Sequence, residues 1–288
     1  MNLIVETDIG RDPDDFAAIC WLVSAGVRIR AILISPGDED QVAVAKFLLN
    51  EVGCVAPVGV SRLVRGSSSA TAFHQALLAQ HRWPLRMPPD GLGTDILRDV
   101  LRADPGIPYF ACGPMDSLGA FLKTGGHVGC MTIQGGFAPY SLYAPTVRVA
   151  KFEGQQQVPT FNLNGNPSAA HQAFSAPGVI RRLTGKNVCH TVFYGRSEHD
   201  KVVAISPRNA AMALFRNAMS LYLARHDDKK FHDPVAAVCH VYPEIGIWIR
   251  GRPHEANGKW GTHPDPTGDH ILVDLDRDAF WRHVEAGD

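Results

Sequence analysis

Four aspartates are crowded into eight residues near the start of the chain, directly after the apolar run of residues 3 to 5. The cluster comprises Asp8, Asp12, Asp14 and Asp15. Carboxylates a few ångströms apart repel and raise one another's pKa values. A folded chain therefore tolerates such carboxylates by binding a cation, by sharing protons between them or by exposing the carboxylates to water. Because Arg11 can offset only one charge, the cluster favours a hard cation bound by oxygen ligands, either calcium or magnesium.

A plainer interpretation of the same residues stays open. A loop rich in Asp, Gly and Pro before a helix is a common turn, whose carboxylates cap the helix and face water. Phe16, Ile19 and Cys20 recur at helical spacing, so Asp14 and Asp15 fall in a first helical turn, where the helix dipole favours negative charge. The layout is strand, acidic loop, helix, and open α/β sheets bind ligands at such strand ends.

Composition limits the classes of partner. The chain has 288 residues, of which 45% are hydrophobic and 20% charged, and a formal net charge of −1. These values are typical of globular proteins and give no electrostatic case for nucleic acid or anionic membranes, so we expect a small-molecule partner. The chain opens without a signal stretch, and no run approaches the roughly 18 to 20 apolar residues of a membrane span. We expect a cytoplasmic protein and, from base rates, a homo-oligomer.

Short β-branched runs alternate with amphipathic segments along the chain. This alternation predicts an α/β fold with a largely parallel sheet covered by helices, organised as one domain over residues 1–288. The predicted strands are 3–7, 29–35, 57–60, 108–112, 128–133, 188–194, 245–250 and 270–274. The predicted helices are 16–25, 41–52, 71–80, 94–103, 115–123, 167–174, 207–224, 234–241 and 277–284. Residues 66–69 and 251–268 are interpreted as surface loops.

Polar groups also follow later strands of this scheme. Segments 113–117 and 134–136 carry glycines that allow close backbone approach. Asn162 lies in a stretch of three asparagines before a helix, which suits helix capping or hydroxyl recognition. His232 and Asp233 precede Pro234, which suits a plain helix cap as well as a binding site.

Taken in order, five segments resemble the inosine–uridine nucleoside hydrolase family, and the resemblance spans nearly the whole chain. The family opening, usually D-x-D-x-G-x-D-D, is similar to residues 6–17, and G-P-L-T-N-L-A is similar to residues 113–119. The segments M-G-G, E-F-N-x-x-x-D-P-E-A-A and H-D-P are similar to residues 134–136, 160–170 and 232–234. The resemblance implies a doubly wound, mostly parallel sheet with helices on both faces.

The resemblance further implies calcium-dependent hydrolysis of the N-glycosidic bond of a ribonucleoside or ribonucleoside-like compound, with release of base and ribose. Asp8 would bind calcium and accept a proton from the attacking water. Asp15 and Asp233 would be calcium ligands, and the residue at Asp116 would contribute its main-chain carbonyl.

The substrate contacts that the resemblance implies come from other residues. Asp14 and Asn162 would hold ribose hydroxyls, and His232 would help to protonate the departing base. Asp38 matches an asparagine that faces the ribose, and Thr160 matches a glutamate on its 5′ side.

Departures from the family pattern accompany these matches. Two residues are inserted between Gly10 and Asp14, which leaves Asp12 as a possible substitute for Asp8 or Asp14 in either role. Glu6 replaces the first aspartate, and Met87 stands where many members have a histidine. The metal and 2′,3′-diol side therefore looks retained, whereas altered base or 5′ specificity is expected.

Three alternatives stay open at this point. One is hydrolysis of a ribosyl nucleotide or specialised metabolite, and another is a non-catalytic calcium-dependent ribose-binding protein. An aspartyl phosphatase of the D-x-D-x-T/V type fits poorly, because Glu6 occupies the position of its nucleophilic aspartate.

Overall fold

The computed structural model describes residues 1–64 and 68–288. The strands of this part of the chain are β1 (Asn2–Thr7), β2 (Arg28–Ile34), β3 (Val58–Val60), β4 (Gly91–Leu92), β5 (Tyr109–Cys112), β6 (Cys130–Gln134), β7 (Ile180–Thr184), β8 (Phe193–Gly195), β9 (Asp228–Lys230), β10 (Gly246–Ala256), β11 (Lys259–Pro264) and β12 (Asp269–Leu275).

The α-helices are α1 (Pro13–Ser24), α2 (Glu39–Glu51), α3 (Ala72–Gln80), α4 (Gly93–Ala103), α5 (Asp116–Lys123), α6 (Phe161–Gly165), α7 (Pro167–Ser175), α8 (Lys186–Cys189), α9 (Arg196–Ala204), α10 (Ala210–Leu223), α11 (Asp233–Val241) and α12 (Arg277–Ala286). None of the helices in the described ranges is long and apolar enough to cross a bilayer.

A ten-stranded sheet runs through the molecule in the order β11-β10-β12-β7-β6-β5-β1-β2-β3-β4. Its strands pair in parallel from β12 to β4, while β10 pairs antiparallel with both β11 and β12. The chain builds outward from β1 to β4 and then returns to place β5 on the other side of β1. The order reverses between β1 and β5, where doubly wound sheets open a crevice at the carboxyl ends of their strands.

Apolar side chains cover both faces of this sheet. Val5 packs on one face with Phe16 of α1, and its neighbour Ile4 packs on the other face with Leu118 of α5. This alternation places a buried helical layer on each side, as strands buried on both faces require. The architecture confirms the predicted fold class.

The strand predicted at 188–194 is wrong. Residues Lys186–Cys189 form the short helix α8, and only Phe193–Gly195 is extended, in a separate two-stranded sheet with β9. The sheet strand in this region is β7, which the sequence analysis missed. Short apolar runs do not distinguish a buried helical turn from a strand, and β7 carries two arginines that mask its pattern.

The surface loop predicted at 251–268 is also wrong. Most of it belongs to the β10–β11 hairpin, which turns at Asn257 and Gly258 with φ values of 54° and 72°. Positive φ at both central residues is the geometry of a two-residue hairpin turn, and Asn-Gly is its strongest sequence signal. Of the other predicted loop, residues 66 and 67 lie outside the described residues.

Candidate functional site

Three buried carboxylates meet at the crevice between β1 and β5. Asp14 and Asp15 lie in the first turn of α1, which follows the acidic loop after β1, and Asp233 is the first residue of α11. One oxygen from each lies within 4.8 Å of the others. The sequence brings them together because both helices begin at the same end of the sheet. A proline near the start of each helix sets φ for its first turn.

Negative charge in this cluster is only partly balanced by the protein. Burial raises the pKa of Asp15 and of Asp233 well above the usual range, and the neighbouring aspartates add to this rise. Burial also raises the pKa of Asp8 to about 7; Arg11, with Nε 3.9 Å from the carboxylate, opposes the rise and Asp14 increases it. The nearby basic side chains therefore supply less positive charge than the cluster needs.

Asp14 differs from its neighbours because it has direct partners. Burial alone would raise its pKa, but His232 and Lys229 outweigh this and hold the pKa of Asp14 at about 2. The backbone nitrogen and Nδ1 of His232 each lie 3.3 Å from Asp14 Oδ2, and Lys229 Nζ lies 3.5 Å from Oδ1. The same ammonium lies 2.6 Å from Asp12, which is half exposed. Asp14 is thus an anion fixed in orientation.

The donor set fits a hard divalent cation. All the converging ligand atoms are carboxylate oxygens, which calcium and magnesium prefer, and the missing positive charge is what such an ion supplies. Thr7 supports this arrangement, because its hydroxyl donates to Asp15 Oδ1 and accepts from the backbone nitrogen of Ile9. An acidic cluster suited to a metal ion is therefore present.

A cavity of about 520 Å³ opens above the carboxylates. Its lining combines acidic, basic and neutral groups: Asp8, Asp12, Asp14, Asp15 and Asp233; Arg11, Lys186, His190 and His232; and Cys112, Gln134, Gly135, Thr160, Phe161 and Asn162. The volume suits a small molecule with several polar groups.

Asn162 presents its side-chain oxygen to this cavity. Its Nδ2 donates to the backbone oxygen of Gln134 at 3.1 Å and to Gln134 Oε1 at 2.7 Å. Since both bonds involve the amide nitrogen, Oδ1 is left to accept a hydrogen bond, for example from a sugar hydroxyl.

Two histidines pack against each other in the lining. The rings of His190 and His232 meet edge to face with centroids 5.2 Å apart. His190 Nδ1 is buried and has no hydrogen-bond partner among the described residues. Burial lowers the pKa of His190 to about 3, and the charges of His232 and nearby lysines act in the same direction. His190 is therefore neutral and offers a ring nitrogen to a ligand.

Most of the site residues predicted from the sequence line this one cavity. They are Asp8, Asp14, Asp15, Thr160, Asn162, His232 and Asp233. Asp38 and Asp116 are not among the lining residues. The Asp38 carboxylate caps α2 by accepting from the backbone nitrogen of Gln41 at 2.9 Å, and it also accepts from the backbone nitrogen of Ser69 at 2.8 Å. This geometry gives no support to the substrate contact predicted for Asp38, which stays a prediction.

Asp116 lies at the start of α5, and its side chain is engaged outside the cavity. It accepts from Asn166 Nδ2 at 2.6 Å and from Ser61 Oγ at 3.3 Å. The predicted contact was through the main-chain carbonyl, which leaves the side chain free for these roles. That contact also stays a prediction.

Sequence reasoning assigned no site role to several lining residues, including Gln134, Lys186 and His190. Lys186 and His190 follow β7, so recognition of that strand would have pointed to them as strand-end residues. Gln134 ends β6 and occurs in a quoted motif, but nothing in the motif revealed that it orients Asn162.

The doubly wound sheet and the acidic cavity at its switch point define an α/β protein with a candidate site for a metal ion and a small molecule. The chain belongs to the inosine-uridine preferring nucleoside hydrolase family, whose model matches residues 3–282. Hydrolysis of the N-glycosidic bond of nucleosides is the reaction of this family, and the protein is accordingly an N-ribohydrolase enzyme.

Solved structures of nucleoside hydrolases share the fold at low sequence identity. A plant nucleoside hydrolase, PpNRh1, is 20% identical, with a TM-score of 0.74 and coverage of 99% of this chain and 98% of its own. A purine-preferring ribonucleoside hydrolase from Gardnerella vaginalis is 18% identical, with a TM-score of 0.69 and coverage of 100% and 98%. An inosine-uridine preferring nucleoside hydrolase from Bacillus anthracis is 13% identical, with a TM-score of 0.71 and coverage of 98% and 97%. No curated protein sequence matches the chain significantly.

Proposed function

We propose that the protein is a calcium-dependent hydrolase of ribonucleosides or ribonucleoside-like compounds, with base or 5′ specificity that differs from the usual family pattern. The observation that carries this proposal is the buried trio of Asp14, Asp15 and Asp233, with ligand atoms within 4.8 Å, in a cavity that also holds His232 and Asn162. Oxygen-only ligation supports calcium over softer metals.

Asp15 and Asp233 of this trio would hold the ion, together with Asp8 and the main-chain carbonyl at Asp116. Asp14, the third member of the trio, is already paired with His232 and Lys229 and is assigned to the substrate instead. When bound, calcium supplies positive charge that acidifies and orients a water molecule and positions vicinal hydroxyls. Asp8 accepts the proton of the attacking water, because its carboxylate lines the cavity beside the cluster. Asp12 remains the alternative for this role, although its ion pair with Lys229 favours Asp8.

Ribose hydroxyls are held by Asp14 and Asn162 in this proposal. Asp14 remains ionised through His232 and Lys229 and therefore accepts hydrogen bonds strongly. Asn162 offers Oδ1, since Gln134 occupies its amide nitrogen. Negative charge around the sugar also stabilises an oxocarbenium-like transition state, in which positive charge develops on the ribose.

His232 assists the departing base. Asp14 accepts from Nδ1, and Nε2 has no hydrogen-bond partner among the described residues, so Nε2 can donate a proton to the leaving group when both ring nitrogens are protonated. His190, which packs against His232, is a further candidate contact for the base.

Altered 5′ specificity follows from Thr160, a neutral group where the family pattern has a glutamate. A carboxylate would accept a hydrogen bond from a 5′-hydroxyl, whereas threonine makes a weaker contact and leaves more volume.

The domain organisation, assembly and location of the enzyme are part of the same proposal. We propose a single domain over residues 1–288 that forms a homo-oligomer in the cytoplasm and has no nucleic-acid or membrane partner.

The test is timed release of free base from a panel of purine and pyrimidine ribosides, with calcium, with magnesium and with chelator. We expect turnover that requires calcium and that falls at least about 10²-fold in Asp233→Asn. Binding of ribosides by calorimetry without any release of base would contradict the hydrolase and indicate the non-catalytic ribose-binding alternative. Light scattering of the same preparation tests the oligomer.

A further inference from the structure

The cavity has a basic part next to Thr160. Lys186 Nζ donates to the backbone oxygen of Pro159 at 2.8 Å, which places the ammonium beside the segment that carries Thr160 and Phe161. Lys186 is partly buried and forms no ion pair with any carboxylate of the described residues. Burial lowers the pKa of Lys186, and the charge of Lys151 lowers it further. A positive charge in the cavity lining therefore lacks a counter-ion.

Thr160 adds a second unsatisfied group at the same place. Its side chain is 2% exposed, and Oγ1 has no hydrogen-bond partner among the described residues although the residue lines the cavity. A buried hydroxyl without a partner is costly, so such a group points to a ligand. A side cavity of about 410 Å³ shares Thr160, Phe161 and Lys186 with the main one, which gives a substituent room to extend.

Lys186 keeps donors free for an anion. One of its three N–H bonds is directed at Pro159, which leaves two, and Thr160 can donate one more. Lys151 strengthens the positive potential, since its Nζ lies 5.1 Å from the centroid of Phe152, whose ring contacts His190. An ammonium with a hydroxyl and added volume suits a phosphate group.

We propose that the substrate is a ribonucleoside 5′-monophosphate whose phosphate binds Lys186 and Thr160; this inference rests on the proposed function. The position of the phosphate follows from ribose chemistry. C1′ carries the nucleobase, and the oxygen on C4′ is the ring oxygen. The 2′ and 3′ hydroxyls bind at the carboxylates, so the 5′ oxygen is the only position left for a phosphate ester.

The reaction balances as a hydrolysis. The C1′–N bond breaks, the water oxygen bonds to C1′, and one water proton goes to the carboxylate that acts as general base. The departing nucleobase takes up a proton from His232, and the proton held by the carboxylate restores that of His232, so that one water is consumed in total. The 5′ phosphate ester stays intact, and the products are free base and ribose 5-phosphate.

The kinetic test compares each nucleoside with its 5′-monophosphate on the parent enzyme and on Lys186→Met, Lys186→Arg and Thr160→Glu. Charge-assisted hydrogen bonds contribute roughly tenfold to a hundredfold, so the parent should prefer the monophosphate by at least about tenfold in kcat/KM. Lys186→Met should remove most of this preference, Lys186→Arg should keep part of it, and Thr160→Glu should reverse it by charge repulsion. Lys201→Met, which changes an exposed lysine of α9, is the matched control and should keep the parent ratio.

Calorimetry with ribose 5-phosphate and ribose, both with calcium present, tests the inference without turnover. We expect the phosphate to tighten binding to the parent by at least about tenfold, and Lys186→Met to lose that gain. Release of base from nucleosides with equal binding of the two sugars would overturn the phosphate site and leave the hydrolase standing. Tighter binding of ribose 5-phosphate with no base released from any substrate would instead contradict the hydrolase. A preference ratio that Lys186→Met leaves unchanged would also overturn the inference.

Discussion

His232 makes two contacts with the carboxylate of Asp14, and these give its two ring nitrogens different roles. Its backbone nitrogen and Nδ1 both face Asp14 Oδ2 at 3.3 Å, so rotation of the ring is restrained from two points. A carboxylate on Nδ1 holds a proton on that nitrogen and fixes the ring so that Nε2 faces the ligand, where Nε2 acts as a donor when it too is protonated. The same contacts keep Asp14 ionised, so the proton donor and the hydroxyl acceptor depend on each other.

We predict that His232→Ala lowers kcat by roughly 10² to 10⁴ for a base that needs protonation, because the leaving group loses its proton donor. Calcium affinity by calorimetry should change little, since His232 is not a ligand. His263→Ala, at an exposed histidine of β11, controls for histidine loss. An unchanged kcat on the best substrate would remove His232 from the mechanism.

Asp8, Asp14 and Asp15 were predictable because they lie close together in sequence and follow an apolar strand, whereas Asp233 stood out only beside His232 and Pro234. Lys186 and His190 were not predictable, because they follow β7 and the arginines of that strand hide its apolar pattern. Arg181 is accommodated there because its Nε lies 2.7 Å from Asp269 at the start of β12. That partner is remote in sequence, so local pattern alone does not reveal it.

At the scale of elements, the approach of β5 to β1 positions the acidic loop. A Cβ at Gly113, just after β5, would lie 2.6 Å from the backbone nitrogen of Asp8 and 3.1 Å from its Oδ1. Real Cβ atoms do not come so close to backbone, so only glycine permits this approach. The glycine therefore determines where the Asp8 carboxylate lies.

We predict that Gly113→Ala lowers kcat/KM by at least about tenfold, because displacement of Asp8 by a few tenths of an ångström or more disturbs the base and the metal ligands together. Steady-state kinetics and thermal unfolding measure the effect. Gly129→Ala is the matched control, since a Cβ there meets nothing within 4 Å. Equal kinetics for the two variants would show that the close approach is dispensable.

Helix α11 carries a second histidine, His240, which packs against β6 away from the cavity. Thr132 Oγ1 lies 2.7 Å from its Nδ1, and Nε2 has no partner among the described residues. Burial lowers the pKa of His240 from 6.5 to about 4, and the charge of Arg182 adds to this. The folded protein therefore holds this ring neutral.

We predict that His240 makes the fold sensitive to acid. The unfolded state binds the proton more readily, so this contribution to stability is complete above pH 6.5 and is lost as pH falls towards 4, by roughly 3 kcal/mol in total. Urea unfolding of His240→Gln across this range should show a slope shallower by up to about 1.4 kcal/mol per pH unit. His127→Gln, at an exposed position, is the control, and equal slopes for His240→Gln and the parent would contradict the prediction.

The general sheet topology was predictable at the scale of elements, but two segments were not. The strands predicted from 3 to 133 correspond to β1, β2, β3, β5 and β6 because short, largely apolar runs identify strands buried on both faces. The β10–β11 hairpin has an irregular burial pattern and was hidden by its prolines and histidines. The Asn257-Gly258 turn was the signal that should have outweighed them.

At the scale of the whole molecule, buried aspartates repel one another at the crevice between β1 and β5. Four aspartates of the site are almost fully buried, and the nearby basic groups are Arg11, Lys229 and the imidazole of His232. Such a cluster lowers the free energy of unfolding of the metal-free protein, and binding of a cation raises it again. Stability and cofactor binding are therefore linked through the same residues.

We predict that calcium and Asp15→Asn relieve the same electrostatic repulsion, so that their effects on thermal stability do not add. Calcium at about one hundred times its Kd should stabilise the parent by about 2.7 kcal/mol, or roughly 5 to 10 °C in Tm for a chain of this size. Asp15→Asn removes one repelling carboxylate, so the metal-free variant should melt at or above the parent while gaining much less from calcium. Scanning calorimetry with and without chelator measures both effects, and Asp99→Asn, at an exposed carboxylate of α4, is the control. A variant that loses stability without metal yet keeps the full calcium shift would show that Asp15 is a structural residue rather than a calcium ligand.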